Sequence, residues 1–477
     1  MQLECWHYPP RYDPAYRPDP ANRYWFPVRE TMPAGERERA ILARLQEVCR
    51  YAYAQSAFYR RKWDAAGFHP AQLRSLEDFE DRVPVITKRD LRESQARAPA
   101  FGDYLCVQES EIFHIHGTSG TTGRPTVFAI SRSDWEAIAN AHARILWGMG
   151  IRPPDTVFIA AIFSLYMGSW GTLIGVERVG AKAFPFGAGA PGMTARAAGW
   201  MDQIRPTAFY GTPTYALHLA DVAREEGLDP RRIGLKRLFF SGEPGASIPS
   251  VRVKLAAAFS AEVFDCGTMA EMTPWMHAAG TQESTPGMLL WQDVVYTEVC
   301  DPATFRRVPY GSRGTPVYTH LERVSQPMIR LVSGDLAVWQ NEPNPCGRTY
   351  PSLPHGIFGR IDDMFTIRGE NVYPSEIDAA LNDVPDYGGE HRVCITREGA
   401  MDELVLRVEP TADVFADAGR VRRFRDAVQA RILKALALRA VVEVVAPQTF
   451  PRTDFKARRV IDDRELFREL NRRLQGG

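Results

Sequence analysis

At 477 residues the chain is too long for one hydrophobic core, and length alone suggests about three domain-sized units. Apolar residues make up 45% and charged residues 24%, a folded composition that excludes a disordered chain. Lys plus Arg (58) equals Asp plus Glu (58), so no overall field draws the protein to nucleic acid or to an anionic membrane; any anionic ligand must be held by a local site.

The first residues, MQLECWHYPPRYDPAYRPDP, contain no apolar core of a secretory signal. Apolar Ile41, Leu42, Leu45, Val48 and Ala52 follow at helical spacing and lead into SAFYRRKW, so residues 36–63 read as helix. Residues 1–104 form a helical N-terminal part. From about 105 to 340, short β-branched or aromatic runs (DTVFIAAIF, AKAFPF, TAFYGT, LKRLFFSGE, AEVFDCG) alternate with amphipathic stretches such as YALHLADVAREE and VRVKLAAAF. That alternation predicts a layered α/β body with a parallel sheet.

One stretch inside it, 156–176, runs without a charge for long enough to span a bilayer. Glycines at 168, 171 and 175 interrupt it, so a buried strand, a glycine turn and a packed helix are expected instead. After about Arg360 the character changes. Strands at 403–409 and 441–446, a helix at 416–437 and a terminal helix with Val460, Leu466, Phe467, Leu470 and Leu474 on one side make a small α+β unit. The expected division is 1–360 and 361–477.

The seven cysteines are scattered and form no Cys-x-x-Cys pair, which argues against a disulfide framework and makes a reducing cytoplasm the expected compartment. GAGAPG (187–192) fits G-x-G-x-x-G by letter but carries a proline, shows no obvious strand–turn–helix setting and lacks the acidic residue about 20 positions on, so NAD binding is not expected.

HGTSGTTGRPT (116–126) is the strongest local signal. Glycines let its backbone turn tightly and present N–H groups, while Thr118, Ser119, Thr121 and Thr122 add hydroxyls; with Gly120 and Gly123 they can wrap a nucleotide's phosphates. No Lys-Ser/Thr closes it, so it is not the common P-loop. A polar surface turn has the same composition.

Read with SGEPGAS (241–247), DCGTMAEM (265–272), SGDLAVW (333–339), GRIDDMFTIRGENVYPSEID (359–378) and PRTDFKARRVID (451–462), the loop resembles the acyl-adenylate-forming, AMP-binding superfamily. The particular resemblance is to the phenylacetate–CoA ligase family. It covers nearly the whole chain, from YAYAQSAFYRRKW (51–63) and VPVITKRDLRE (83–93) onward.

The resemblance implies ATP, Mg²⁺ and CoA as cofactors and a carboxylic acid as substrate. It implies Glu271 as the Mg²⁺ ligand, a hard carboxylate for a hard ion. Asp335 and Arg360 would hold the ribose, and Gly242, Glu243 and Pro244 the adenine, with Asp265, Gly267 and Thr268 completing the nucleotide set. Lys456 matches the lysine that reaches the α-phosphate and the acid during adenylation, where a fixed cation lowers the barrier. Asp362 matches the hinge of a mobile C-terminal domain, and Arg368, Gly369 and Glu370 would face the CoA step.

Some positions depart from the family. An aromatic that stacks on adenine is Gly267 here, a threonine is Ala270, and Phe455 stands where a glycine precedes the catalytic lysine. Zinc-ligand positions of some relatives read Thr281, Leu289 and Asn344, leaving Cys346 alone, so no zinc is expected.

The acid pocket would be lined by Ala161, Phe163, Tyr166, Trp170, Tyr210, Gly211 and Tyr215. Ala161 and Tyr166 replace two aromatics of the phenylacetate enzymes, which suits a bicyclic ring such as indole-3-acetate as well as ordinary repacking. The expected activity is an aryl or arylacetic acid–CoA ligase. Its rivals are an adenylating enzyme serving an amine or a carrier protein, and a non-catalytic nucleotide binder. Neither nucleic acid nor membrane is an expected partner; a homodimer is one option.

Overall fold

The structure is a computed structural model. It describes all residues except 1–7, 119–125, 166, 188–191, 244, 268, 274–275, 285, 362–364, 368–369, 399–400, 437, 451–459 and 463–477. The chain divides into two compact units, 1–247 with 255–357, and 248–254 with 358–477.

After a short helix, Pro27–Glu30, the larger unit continues with the helices Ala34–Gln55 and Ala57–Ala65, separated by Ser56, whose side chain caps the latter by accepting from the Tyr59 amide. Ile41, Leu45, Val48 and Ala52 are buried as their spacing predicts. Five parallel strands form the heart of the unit, in the order Glu262–Gly267, Arg237–Phe240, Ala208–Gly211, Thr156–Ile159 and Lys182–Phe184. The central ones are buried almost throughout, as strands covered on both faces must be. Three short antiparallel strands extend the sheet beyond Glu262–Gly267. A second, antiparallel sheet contains Val295–Cys300, Arg313–His320 and Asp335–Val338.

The charge-free stretch becomes the strand Thr156–Ile159 and the helix Met167–Val179. Its glycines correct one expectation: Gly168, Gly171 and Gly175 lie inside the helix and make no turn. A Cβ on Gly175 would stand 2.7 Å from the His142 Cβ on the helix Arg132–Gly148, so the residue permits close helix packing. Among the described residues no helix is long and apolar enough to cross a membrane.

At the end of segment 8–30, Arg29 and Glu30 anchor the chain within this unit by buried ion pairs. Asp293 accepts from Arg29 Nε at 2.7 Å and from Arg144 Nη1 at 2.8 Å, while Glu30 pairs with Arg348 at 2.8 Å and with Arg144 at 3.4 Å. Burial pushes the Asp293 carboxyl up, but Arg144 and Arg29 reverse this and hold it below the usual carboxylate range.

The smaller unit has its own core, in which strands Tyr387–Glu398 and Met401–Pro410 pair antiparallel, flanked by Ala440–Val444 and Val460–Asp462. The helix Ala418–Leu436 buries Phe424, Val428 and Ile432. Two differences from expectation stand out. The strand Tyr387–Glu398 was not anticipated, and Val460 lies in a strand beside Val393, not in a helix. Leu466, Phe467, Leu470 and Leu474 lie outside the described residues.

Candidate active site

Parallel strands present their carboxyl ends on one side, and loops that leave there can converge on a ligand. Register brings four such ends together: Ile159 lies beside Tyr210, Gly211 beside Phe240, and Phe240 beside Asp265. The segments 160–165, 211–215, 241–243 and 267–271 therefore leave one sheet edge. They carry Ala161, Phe163, Gly211, Tyr215, Gly242, Glu243, Gly267 and Glu271, which the sequence scatters over more than a hundred positions.

The base of the threonine-rich loop is set against segment 160–165. Strands Ile112–Gly117 and Val127–Ser131 pair antiparallel, with Gly117 opposite Val127. Thr118 N–H donates to the Thr126 carbonyl at 3.0 Å, and Thr126 N–H donates to Thr118 Oγ1 at 3.0 Å. The base of the loop is thus closed twice. Ser119, Gly120, Thr121, Thr122 and Gly123 lie outside the described residues. The Gly117 amide donates to the Leu165 carbonyl at 3.1 Å, and His116 Nδ1 lies 3.2 Å from the same oxygen, fixing the loop's base to segment 160–165. Burial pushes the His116 pKa down to about 4, so its imidazole is neutral at pH 7.

Beside this junction is a cavity of about 490 Å³ lined by Phe163, Trp170 and Phe186 together with Ile162, Leu173 and Met193. Phe163 and Trp170 meet edge to face at 5.3 Å, and Trp170 is 6.4 Å from the His116 ring. Of the expected pocket residues, Phe163 and Trp170 therefore line the cavity. Tyr210 stacks on Phe239 and directs its hydroxyl to Ser241 at 2.8 Å. Tyr215 is buried on the helix Pro213–Glu225, and Tyr166 is outside the described residues. Phe186 and Met193 flank the G-x-G-x-x-G look-alike. The strand Lys182–Phe184 and the helix Met193–Ile204 do flank that stretch, contrary to expectation, and its first residue, Gly187, lines the cavity.

Gly242 has φ +92°, a left-handed turn that suits glycine, and Glu243 is held by the Thr214 amide at 2.8 Å and its hydroxyl at 2.5 Å. Asp265 is buried at the end of its strand. A Cβ on Gly267 would meet Met288 Sδ at 2.7 Å and Ile357 Cδ1 at 2.8 Å, so the space beside this residue is already filled by apolar side chains. Asp335 opens the strand Asp335–Val338 of the second sheet, its amide donating to Ser333 Oγ at 3.0 Å. Arg360 and Glu370 belong to the smaller unit, in the strands Gly359–Arg360 and Glu370–Val372. Lys456, Asp362, Arg368, Gly369, Thr268 and Pro244 fall outside the described residues.

Glu271 is 2% exposed. Its Oε1 lies 3.4 Å from Lys88 Nζ, and its Oε2 is buried with no hydrogen-bond partner among the described residues. An acceptor-only carboxylate with a spare buried oxygen fits a hard divalent cation. Among the described residues no cluster of three or more His, Cys, Asp or Glu could hold a metal ion. Sequence reasoning gave Lys88 no part. Its signal was there: a lysine in the first helical turn after a Thr cap opposes the helix dipole and calls for another reason.

An AMP-binding enzyme profile matches residues 42–318, and an AMP-binding enzyme C-terminal domain matches 369–464. The chain belongs to the AMP-binding enzyme family. Within that family it is of the AMP-forming acid–thiol ligase type. A phenylacetate–coenzyme A ligase of Thermus thermophilus is 31% identical over 454 residues, covering 92% of this chain and 99% of that protein. Two solved structures are similar across 99% of both chains. One is a 2-hydroxyisobutyryl-CoA ligase in the postadenylation state with 2-HIB-AMP (67% identity, TM-score 0.94). The other is that ligase with 2-HIB-AMP and CoA in the thioesterification state (68% identity, TM-score 0.76).

Proposed function

We propose that this protein uses ATP to adenylate 2-hydroxyisobutyrate, or another short branched 2-hydroxy acid, and passes the acyl group to CoA. The observation that carries this reading is the 67% identity, over 99% of both chains, with a ligase solved with 2-HIB-AMP. It moves the aryl acid expected from sequence to second place. An arylacetic acid keeps one specific support, the three aromatic rings of Phe163, Trp170 and Phe186 around the cavity.

In this reading Thr118 to Gly123 wrap the phosphate tail, Asp335 and Arg360 hold the ribose, and Gly242, Glu243, Pro244, Asp265, Gly267 and Thr268 form the rest of the nucleotide site. Glu271 would hold Mg²⁺, which would supply positive charge beside the phosphoryl oxygens. Lys456 brings its ammonium to the α-phosphate, where negative charge accumulates as the acid attacks. Adenylation needs that cation in place and water excluded, while thioester formation needs an open path for a thiol. A domain boundary near 360 with Asp362 as hinge meets both needs, and Arg368, Gly369 and Glu370 serve the second step. The cytoplasm suits the six described cysteines, all free thiols in buried positions.

The test is mass spectrometry of ATP and CoA reactions with 2-hydroxyisobutyrate, phenylacetate and indole-3-acetate. 2-Hydroxyisobutyryl-CoA with AMP is the expected product. Thioester from the arylacetates alone reverses the order of the two acids. Adenylate without any CoA thioester points to an amine or carrier acceptor, and no acid-dependent pyrophosphate exchange points to a non-catalytic binder.

A further inference from the structure

Lys88 sits where its charge does its own helix no good. It is the first residue of the helix Lys88–Arg97, whose start is fixed by reciprocal bonds between Thr87 and Asp90: the Thr87 amide donates to Asp90 Oδ2 at 2.8 Å and the Asp90 amide to Thr87 Oγ1 at 3.3 Å. A cation there faces the positive end of the helix dipole. What it gains is Glu271, 3.4 Å away and buried, whose ionised form would otherwise lack a charge partner among the described residues. The pair is loose. Tight ammonium–carboxylate bonds run to about 2.7–2.9 Å, and the Lys88 side chain remains 32% exposed.

We propose that Lys88 is the exchangeable counter-ion of Glu271. Its ammonium neutralises the carboxylate before nucleotide arrives, and moves to the phosphate tail of ATP when a divalent cation takes Glu271. The inference rests on the reading of Glu271 as cation ligand. It makes Lys88 a competitor of the bare metal and a helper of the metal–nucleotide complex, two effects of opposite sign.

Titration calorimetry on the full chain separates them, with MnCl₂ alone in one arm and Mg²⁺ plus α,β-methylene-ATP in the other. Lys88→Ala should tighten Mn²⁺ binding and weaken nucleotide binding, each by about five- to tenfold, the worth of one ion pair near a protein surface. Lys88→Arg should return both toward the native values. Lys88→Met keeps the stem packed and should behave as the alanine variant, so a folding defect in one does not decide the matter. Changes of the same sign, or none in either arm, overturn the proposal while the Glu271 reading stands, provided Glu271→Gln abolishes Mn²⁺ binding. If Glu271→Gln leaves Mn²⁺ binding intact, the Glu271 reading itself fails and this inference with it.

Discussion

Thr118 and Thr126 hold each other by both ends, each amide donating to the other residue, at 3.0 Å in both directions. Thr118→Val keeps the shape and removes the hydroxyl acceptor. The loss of one hydrogen bond, about 1 kcal/mol, should raise the KM for ATP about fivefold, with Thr118→Ser near native. Steady-state kinetics with ATP varied decides it. An unchanged KM would show that the closure at the loop's base does not shape its phosphate-binding part.

Gly267 stands where the family resemblance implies an aromatic, yet introducing one should not improve nucleotide binding. The space belongs to Met288 and Ile357. Gly267→Tyr should cost about 1–3 kcal/mol in urea unfolding through overpacking, and should leave the KM for ATP no lower. Gly267→Ala should cost less, because the atoms it meets are the ends of flexible side chains. A tyrosine variant of full stability and improved ATP affinity would contradict this packing.

His116 and His142 are neutral in the fold, with pKa values of about 4 and about 3, chiefly because burial penalises the charged ring. Unfolded, each titrates near 6.5. Between these values the unfolded chain binds more protons, so stability is full above about pH 6.5 and is lost as pH falls toward 4. Thermal midpoints measured over that range should fall with acid, and His116→Asn should flatten the slope. An unaltered slope would remove His116 from the account.

Lys456→Ala should abolish acid-dependent pyrophosphate exchange while sparing thioester formation from synthetic acyl-adenylate and CoA. Loss of a single hydrogen-bond donor at a developing oxyanion typically costs about 2.7–4 kcal/mol, or 10²–10³ in rate. Equal loss of both half-reactions would show that this lysine has another part.

Strand–helix alternation made the layered body legible, and the helical spacing of Ile41, Leu45, Val48 and Ala52 identified a buried face directly. The strand Tyr387–Glu398 was missed because its first part, YGGEHR, offers no period-two apolar pattern. Glycines at 168, 171 and 175 were read as a turn because letters alone do not say that another helix needs the room. The site shows the same divide. Loop composition singled out Thr118, while Gly242 and Glu271 were named only through the resemblance to a family. Lys88 and Phe186 went unseen, since one gains its interest from Glu271, 183 positions away, and the other from a cavity made by the fold.

The buried charges around Asp293 have a practical side. Trimming the N-terminus past residue 30 would take away Arg29 and Glu30 and strand Arg348 and part of Asp293 in a dry interior. Breaking a pair of this kind costs about 3–5 kcal/mol, comparable with the whole margin of about 5–15 kcal/mol that keeps a protein folded. The opening segment, which looks on paper like a dispensable tail of prolines and tyrosines, is a clamp, and a protease that nicked it would put the whole catalytic body at risk.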